Sequence, residues 1–181
     1  MRKKLPIGIQ SFEKIRQDNF YYVDKTRFVR KLVDEGGGYY FLSRPRRFGK
    51  SLFLDTLKQA FLGKKELFEG LFLEKNWDWS KSYPVIHISF GQGVVRDVEE
   101  LKKIIFSILL EHAENYQVEL KEELLQRRFM ELIMKISRKF NQKVVVLVDE
   151  YDKPILDRIE DKEKAIQIRE ELKNLYAVLK D

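Results

Sequence analysis

The sequence predicts an α/β protein built on a mainly parallel β-sheet, and three features of the chain carry this prediction. Residues 39–42 are an apolar run, followed by Gly49-Lys50-Ser51 and then by apolar residues at helical spacing. Residues 144–148 are consecutive apolar residues, mostly β-branched, which is typical of a central strand covered on both faces. Long amphipathic segments separate residues 144–148 from a further apolar run at residues 83–90, as helical crossovers between parallel strands do. We therefore expect three layers, with helices on both sides of the sheet.

Composition and charge narrow the classes of protein to which this chain can belong. The 181 residues suffice for one domain with a core, and 44% hydrophobic with 35% charged residues are typical of a folded chain. The absence of cysteine excludes disulfides and thiolate metal sites. No apolar stretch approaches the roughly 20 residues of a membrane span, so we expect a cytoplasmic protein with no membrane contact. The formal net charge of +6 permits contact with nucleic acid but is spread along the chain.

The first 38 residues predict a lead-in segment ahead of the core. A short helix is expected at residues 11–17 and an extended segment at residues 21–23. Thr26 can cap a second helix that runs to about residue 35, because apolar residues line one face of this stretch. Three glycines end that helix, and residues 39–42 predict a short buried strand that opens a core spanning residues 39–181.

Gly49-Lys50-Ser51 lies where a phosphate-binding loop is expected, between a strand and a helix. The first amides of a helix have no intrahelical partner and lie at the positive end of its dipole, so they attract a polyanion. Gly49 would let the backbone approach phosphate, Lys50 would offer an ammonium group, and Ser51 would offer a hydroxyl to magnesium. The usual pattern has a glycine at the position of Arg44, so a polar helix N-terminus with Ser51 near the cap remains an alternative for this stretch alone.

Two acidic residues, Asp149 and Glu150, directly follow the strand predicted at residues 144–148. Ligands of open α/β sheets bind outside the carboxyl ends of the strands, where the loop after Leu42 would also emerge. Asp149 would hold magnesium, and Glu150 would deprotonate a water for attack on a terminal phosphate. A solvated acidic pair is the alternative, but the order and spacing of the two motifs favour a nucleotide-dependent protein in which Lys50 and the two acids converge on one polyphosphate.

Several segments resemble the AAA-ATPase-like domain family. They are residues 5–12, residues 21–26, Leu42-Ser43-Arg44-Pro45-Arg46-Arg47-Phe48-Gly49-Lys50-Ser51-Leu52 and Val148-Asp149-Glu150-Tyr151-Asp152-Lys153-Pro154-Ile155. The resemblance implies a P-loop NTPase-type three-layer α/β/α fold with ATP and Mg²⁺ as ligands, and it accounts for Arg44, because the family carries Arg-Pro-Arg-Arg in the loop. In the family, a restriction-nuclease-like domain of the PD-(D/E)XK type often follows, so nucleic acid is a possible partner through such a domain.

The site residues that follow from the motifs and the resemblance fall into three roles. Glu150 and Lys50 are expected to be catalytic, and Ser51 and Asp149 are expected to hold the metal. The nucleotide is expected to contact Arg46, Arg47, Phe48, Gly49, Lys50, Ser51 and Leu52.

Further elements follow from periodicity. A strand is predicted at residues 83–90, in which His87 is expected to be a hydrogen-bonded core histidine, and Asp97 begins an amphipathic helix. Helices are also expected at about residues 120–140 and 162–180, and Trp77 and Trp79 are expected to pack as a surface plug. The predicted inward residues of the three helices are Leu101, Ile104, Ile105, Ile108 and Leu109, then Leu124, Leu125, Phe129, Leu132, Ile133 and Ile136, then Ile166, Ile168, Leu172, Leu175 and Leu179.

The Asp149-Glu150 pattern, with an acidic residue directly after the aspartate, resembles that of the additional-strand, catalytic-glutamate division of P-loop proteins. That division places another strand between the phosphate-loop strand and the acidic (Walker B) strand, and residues after Asp152 predict only loop and helix. We therefore expect a sheet truncated after the Walker B strand, whose open edges favour self-association. The leading function is a Mg²⁺-dependent ATPase module that drives or gates a nuclease-like domain. The alternatives are a nucleotide-switched nucleic-acid-binding module with negligible turnover and a small-molecule kinase, against which Glu150 argues.

Overall fold

The structure, a computed structural model, describes residues 3–36, 38–45 and 47–180, which cluster into two compact units, Met1–Val85 and Ile86–Asp181. The helices of the first unit are α1 (Phe12–Gln17), α2 (Arg27–Asp34), α3 (Lys50–Phe61) and α4 (Phe72–Lys75), with a 3₁₀ turn at Lys65–Phe68. The helices of the second unit are α5 (Val98–Asn115), α6 (Leu125–Phe140), α7 (Lys153–Leu156) and α8 (Lys162–Ala177), with a 3₁₀ turn at Val178–Lys180. The strands are β1 (Val85–Ser89), which begins at the last residue of the first unit, and β2 (Val145–Asp149).

The first unit has an aromatic core around Phe12, the first residue of α1. Its ring lies 5.0 Å from that of Tyr22 and 4.9 Å from that of Phe68, centroid to centroid. Phe68 in turn lies 5.0 Å from Trp79, and the indole N–H of Trp79 donates to the carbonyl of Glu74 at 2.9 Å. Trp79 is half-buried and packs against this core, as predicted for a surface plug, and its indole N–H is satisfied by backbone as a partly buried indole requires.

Thr26 precedes α2, as predicted, but it does not cap that helix with its side chain. Its hydroxyl instead donates to Asp24 at 2.7 Å and accepts from the amide of Leu73 at 3.1 Å. The other carboxylate oxygen of Asp24 accepts from the amide of Phe72 at 2.7 Å. The side chains of Asp24 and Thr26 thus accept hydrogen bonds from the amides at the start of α4, which have no partner within the helix. The contact spans about 47 residues, so local sequence does not indicate it.

Residues 39–42 are not a strand, so the prediction of a buried strand there is wrong. Tyr39, Tyr40 and Phe41 are all exposed, Phe41 by 70%. A β-strand requires a neighbouring strand to pair its backbone groups, and the strands assigned within the described residues lie at 85–89 and 145–149. The apolar composition of this run favours burial, but composition alone does not determine whether a segment forms a strand.

The second unit carries a parallel two-stranded sheet of β1 and β2, connected through α5 and α6. The fold is therefore α/β, whereas the three-layer arrangement stays a prediction. In the sheet of the described residues β2 has β1 as its one neighbour, so the prediction of a central strand is wrong. Every residue of β2 is half-buried, and coverage of the strand on both faces stays a prediction. None of the helices in the described residues is both long enough and apolar enough to cross a bilayer.

The core of the second unit contains most of the predicted helix faces. Its buried members from α5, α6 and α8 are Leu101, Ile105, Leu109, Ala113, Leu125, Phe129, Leu132, Ile136, Ile168, Leu172 and Leu175. Two predicted core residues are wrong, because Leu124 and Ile166 are exposed. Leu124 is the residue before α6, which starts at Leu125 and not near residue 120. Ile166 lies two residues before Ile168, about 200° around the helix from the buried stripe.

His87 lies in β1, as predicted, and is half-buried. The imidazole Nε2 of His112, on α5, lies 3.1 Å from the backbone nitrogen of His87 and 3.0 Å from its backbone oxygen. This contact fixes α5 to the strand through the imidazole of His112 and the backbone of His87.

Candidate functional site

The predicted phosphate-binding loop leads directly into α3. Gly49 is the N-cap residue, with φ at 75°, the left-handed region that glycine tolerates without strain. The amide of Phe53 donates to the Gly49 carbonyl at 3.0 Å, so the amides of residues 50–52 precede the first helical bond. Gly49 has no side chain with which to cap them. An anion placed here would meet amides that have no partner within the helix, and the positive end of the helix dipole.

The loop ahead of α3 is open to solvent. Arg44, Arg47 and Gly49 are exposed, and Phe48 is exposed by 62%, whereas Lys50, Ser51 and Leu52 are half-buried. Arg47 also has positive φ, at 66°. Arg46 lies outside the described residues. Accessible cationic side chains before a helix N-terminus are chemically suited to a polyanionic ligand.

The second turn of α3 contacts the lead-in segment. The carboxylate of Asp55, one turn after Ser51, accepts from the amide of Phe12 at 2.6 Å, and the hydroxyls of Tyr22 and Thr56 lie 3.4 Å apart. Asp55 therefore supports the N-terminus of α1 from a helix 43 residues away in sequence. Sequence reasoning missed this role. The available signal was the position of Asp55, an acidic residue four residues after Ser51 and therefore on the same face of the predicted helix.

The acidic pair lies at the carboxyl end of β2, as predicted. Asp149 is the last residue of the strand and is half-buried, and Glu150 follows it and is exposed. Glu150 has φ at 51°, a left-handed conformation that non-glycine residues rarely adopt. Its amide donates to the carboxylate of Asp149 at 3.0 Å, and its carbonyl accepts from the amide of Lys153 at 3.0 Å. The chain turns sharply here and leaves the Glu150 carboxylate accessible.

The end of β1 lies beside the acidic pair. The amide of Phe90 donates to the Asp149 carbonyl at 3.3 Å. A Cβ atom at Gly91 would lie 3.5 Å from the carboxylate of Glu150 and 3.5 Å from the hydroxyl of Ser89. Ser89 and Gly91 are thus neighbours of the site that sequence reasoning missed. The signal was their position, since the carboxyl ends of parallel strands meet at one edge of a sheet.

Comparisons with known proteins identify the family. Residues 6–181 match the family described as predicted AAA-ATPase. The chain belongs to this family. It is 52% identical over 181 residues to a protein of Azotobacter chroococcum mcd 1 named "Uncharacterized protein in vnfD 5'region", an alignment that covers 99% of this chain and 35% of the relative. The chain therefore spans about a third of the length of that relative. No solved structure matches this chain.

In this AAA-ATPase-like chain, the predicted site residues fall into two groups. Lys50 and Ser51 lie in the first compact unit, and Asp149 and Glu150 lie in the second. The predicted convergence of the two groups on one polyphosphate stays a prediction. Within the described residues, no three His, Cys, Asp or Glu side chains form a metal-binding group. The assignment of Ser51 and Asp149 as magnesium ligands stays a prediction.

Proposed function

We propose that this chain is an ATP-binding module that hydrolyses ATP in the presence of Mg²⁺. The observation that carries the proposal is the position of Gly49-Lys50-Ser51, where the first amides of α3 have no partner within the helix. Membership of a family described as predicted AAA-ATPase supports ATP as the polyanion. The exposed loop residues Arg47 and Phe48 leave the approach to these amides open.

The proposal assigns separate roles to the residues of the two motifs. Lys50 and the amides around Gly49 bind the terminal phosphates, as the lysine and the backbone N–H groups of other phosphate-binding loops do. Ser51 and Asp149 supply hard oxygen ligands for Mg²⁺, which when bound would neutralise charge on the phosphates. Glu150 orients an attacking water and accepts its proton, a role that requires an accessible carboxylate.

The proposal extends to the longer proteins in which such a chain can occur. The chain spans 35% of the length of its Azotobacter relative. We assign residues 1–38 to a lead-in segment and residues 39–181 to part of a nucleotide-binding core. On the family resemblance, ATP turnover would drive or gate a nuclease-like domain, and nucleic acid would be the partner of that domain. Self-association of the chain would appear as a concentration-dependent mass in sedimentation.

Calorimetric titration with a non-hydrolysable ATP analogue and Mg²⁺ tests the phosphate site. Lys50→Ala removes a charged donor and should weaken binding by about 10- to 100-fold, because hydrogen bonds to charged groups contribute about 1.5–3 kcal/mol. Lys58→Ala is the matched control, since Lys58 lies on the same helix about 12 Å further along it. Equal affinities for the two variants would show that Lys50 does not hold the nucleotide.

A turnover assay separates the role of Glu150 from binding. Glu150→Gln should keep the affinity for ATP and lose roughly 100-fold or more in kcat, because the amide cannot accept the proton of the attacking water. Glu160→Gln, at an exposed carboxylate ten residues later, is the matched control. Parallel loss of affinity and turnover in Glu150→Gln would indicate a structural role instead.

A second function, nucleotide-switched binding of nucleic acid with negligible turnover, is favoured by the exposed guanidinium groups of Arg44 and Arg47. A net charge of +6 supports it. Its test is a salt titration of the affinity for a single-stranded oligonucleotide with and without ATP. The affinity should fall steeply with ionic strength and change with nucleotide, and a flat response would exclude this function.

A further inference from the structure

A partly buried ion pair ties the loop after β1 to the segment after the acidic pair. The ammonium of Lys153 donates to the carbonyl of Gly93, and it lies 2.9 Å from the carboxylate of Asp157. The same carboxylate oxygen of Asp157 accepts from the amide of Val95 at 3.0 Å. Arg158 completes the attachment by donating to the Val95 carbonyl at 2.8 Å. We call Lys153 and Asp157 the clamp.

The clamp is more buried than an ordinary surface ion pair. The side chains of Lys153 and Asp157 are 24% and 16% exposed, whereas those of Arg30 and Asp34, a pair with the same spacing on α2, are 43% and 52% exposed. Burial alone would raise the pKa of Asp157, but hydrogen bonds from Lys153 and from the Val95 amide, with the nearby charges of Lys153 and Arg158, lower it below the ordinary value. The carboxylate is therefore charged at neutral pH, and its Oδ2 accepts from both Lys153 and the Val95 amide.

The clamp contacts the two segments that lie next to Glu150, which are its own turn and the loop after β1. On one side, the amide of Lys153 donates to the Glu150 carbonyl, which closes the turn that holds Glu150 at positive φ. On the other side, the clamp holds the loop that starts at Gly91, whose missing Cβ would lie 3.5 Å from the Glu150 carboxylate. A left-handed glutamate persists only where its surroundings determine its conformation. The clamp supplies such surroundings without contacting the carboxylate itself.

We propose that Lys153 and Asp157 are positioning residues that hold Glu150 in its active conformation by fixing the loop at residues 91–95 against the turn at residues 150–153. The role rests on the proposed function, because it gives Glu150 the task of activating water. The clamp acts through the backbone of Glu150 and through the neighbouring loop, so its loss should reduce catalysis more than binding.

The kinetic test compares Asp157→Ala with Asp34→Ala in the whole chain. Asp157→Ala should lower kcat for ATP by roughly 10- to 100-fold, because it displaces a positioned group, and leave KM within about twofold. Asp34→Ala removes the acid of the exposed i,i+4 pair and should leave both constants unchanged. Asp157→Asn, which keeps an acceptor oxygen for the Val95 amide, should fall between wild type and Asp157→Ala. Unchanged kcat in both Asp157 variants would overturn the proposal.

A second readout needs no nucleotide. In amide exchange followed by NMR, Asp157→Ala should speed exchange at Val95 by about tenfold and shift the amide resonance of Glu150, whereas Asp34→Ala should do neither. If wild type fails to hydrolyse ATP, the proposed function is wrong, and the Glu150 resonance then decides alone whether the clamp positions this residue. An unmoved Glu150 resonance refutes the proposal. Should Asp157→Ala not fold, Asp157→Asn and Lys153→Met give the same two readouts.

Discussion

The contacts of Glu131, on α6, predict a pH-dependent contribution to the stability of the second unit. One carboxylate oxygen accepts from the amides of Lys121 and Glu122 at 2.9 and 3.0 Å, and the other lies 2.7 Å from the ammonium of Lys135. The Glu131 side chain is 15% exposed. Glu131→Gln removes the charge while keeping the shape, so it isolates the electrostatic part of these contacts.

The magnitude follows from the pKa of this carboxyl. The hydrogen bond from Lys135, then those from the amides of Glu122 and Lys121, lower the pKa of Glu131 from 4.5 to about 2. A shift of this size corresponds to at most about 3 kcal/mol of stability, and solvent screening reduces the expected value to about 1–2 kcal/mol. Because the folded pKa is the lower one, this contribution is complete above pH 4.5 and is lost as the pH falls toward 2.

Urea unfolding followed by circular dichroism measures the effect. At pH 7, Glu131→Gln should lower the free energy of unfolding by about 1–2 kcal/mol with an unchanged m-value, and by pH 3 the difference should shrink to half or less. Glu123→Gln, at an exposed carboxylate in the loop before α6, should have little effect at either pH. A difference that is the same at both pH values would refute the electrostatic reasoning.

Two further predictions concern the first unit. Gly49→Ala should destabilise the chain by about 1–2 kcal/mol in thermal melts, because φ at 75° strains any residue with a Cβ although nothing lies within 4 Å of the added atom. A cost under a few tenths of a kcal/mol would show that the turn can relax. Asp55→Ala should cost about 1 kcal/mol and speed amide exchange at Phe12, since it removes the acceptor for that amide. Unchanged exchange at Phe12 would contradict the assigned contact.

The elements that sequence predicted well are those whose cause is local. Helix α5 follows Asp97, whose carboxylate accepts from the amide of Glu100 at 2.8 Å, and its apolar stripe is buried as its spacing predicts. Strand β2 ends at the acidic pair because an unbroken apolar run ends there. Both predictions needed only neighbours within a few residues.

The elements that sequence missed depend on distant partners. The run at residues 39–42 has the composition of a strand, but a strand is defined by pairing, which composition does not encode. The bond from Lys153 to the carbonyl of Gly93 joins residues 60 apart, and a backbone carbonyl has no sequence signal. For the same reason Asp55 was not predicted to support Phe12.

Backbone geometry distinguishes the two motifs from the rest of the described chain. Of the five non-glycine residues with positive φ in the described ranges, Asn19, Gln117 and Asn141 follow helix ends, where a left-handed residue commonly terminates the helix. The other two, Arg47 and Glu150, lie in the predicted phosphate loop and acidic turn. Such conformations cost free energy and persist where other contacts hold them, as we propose for the clamp beside Glu150. On the proposed function, the residues that support these turns should therefore affect ATP turnover even though they need not touch the nucleotide.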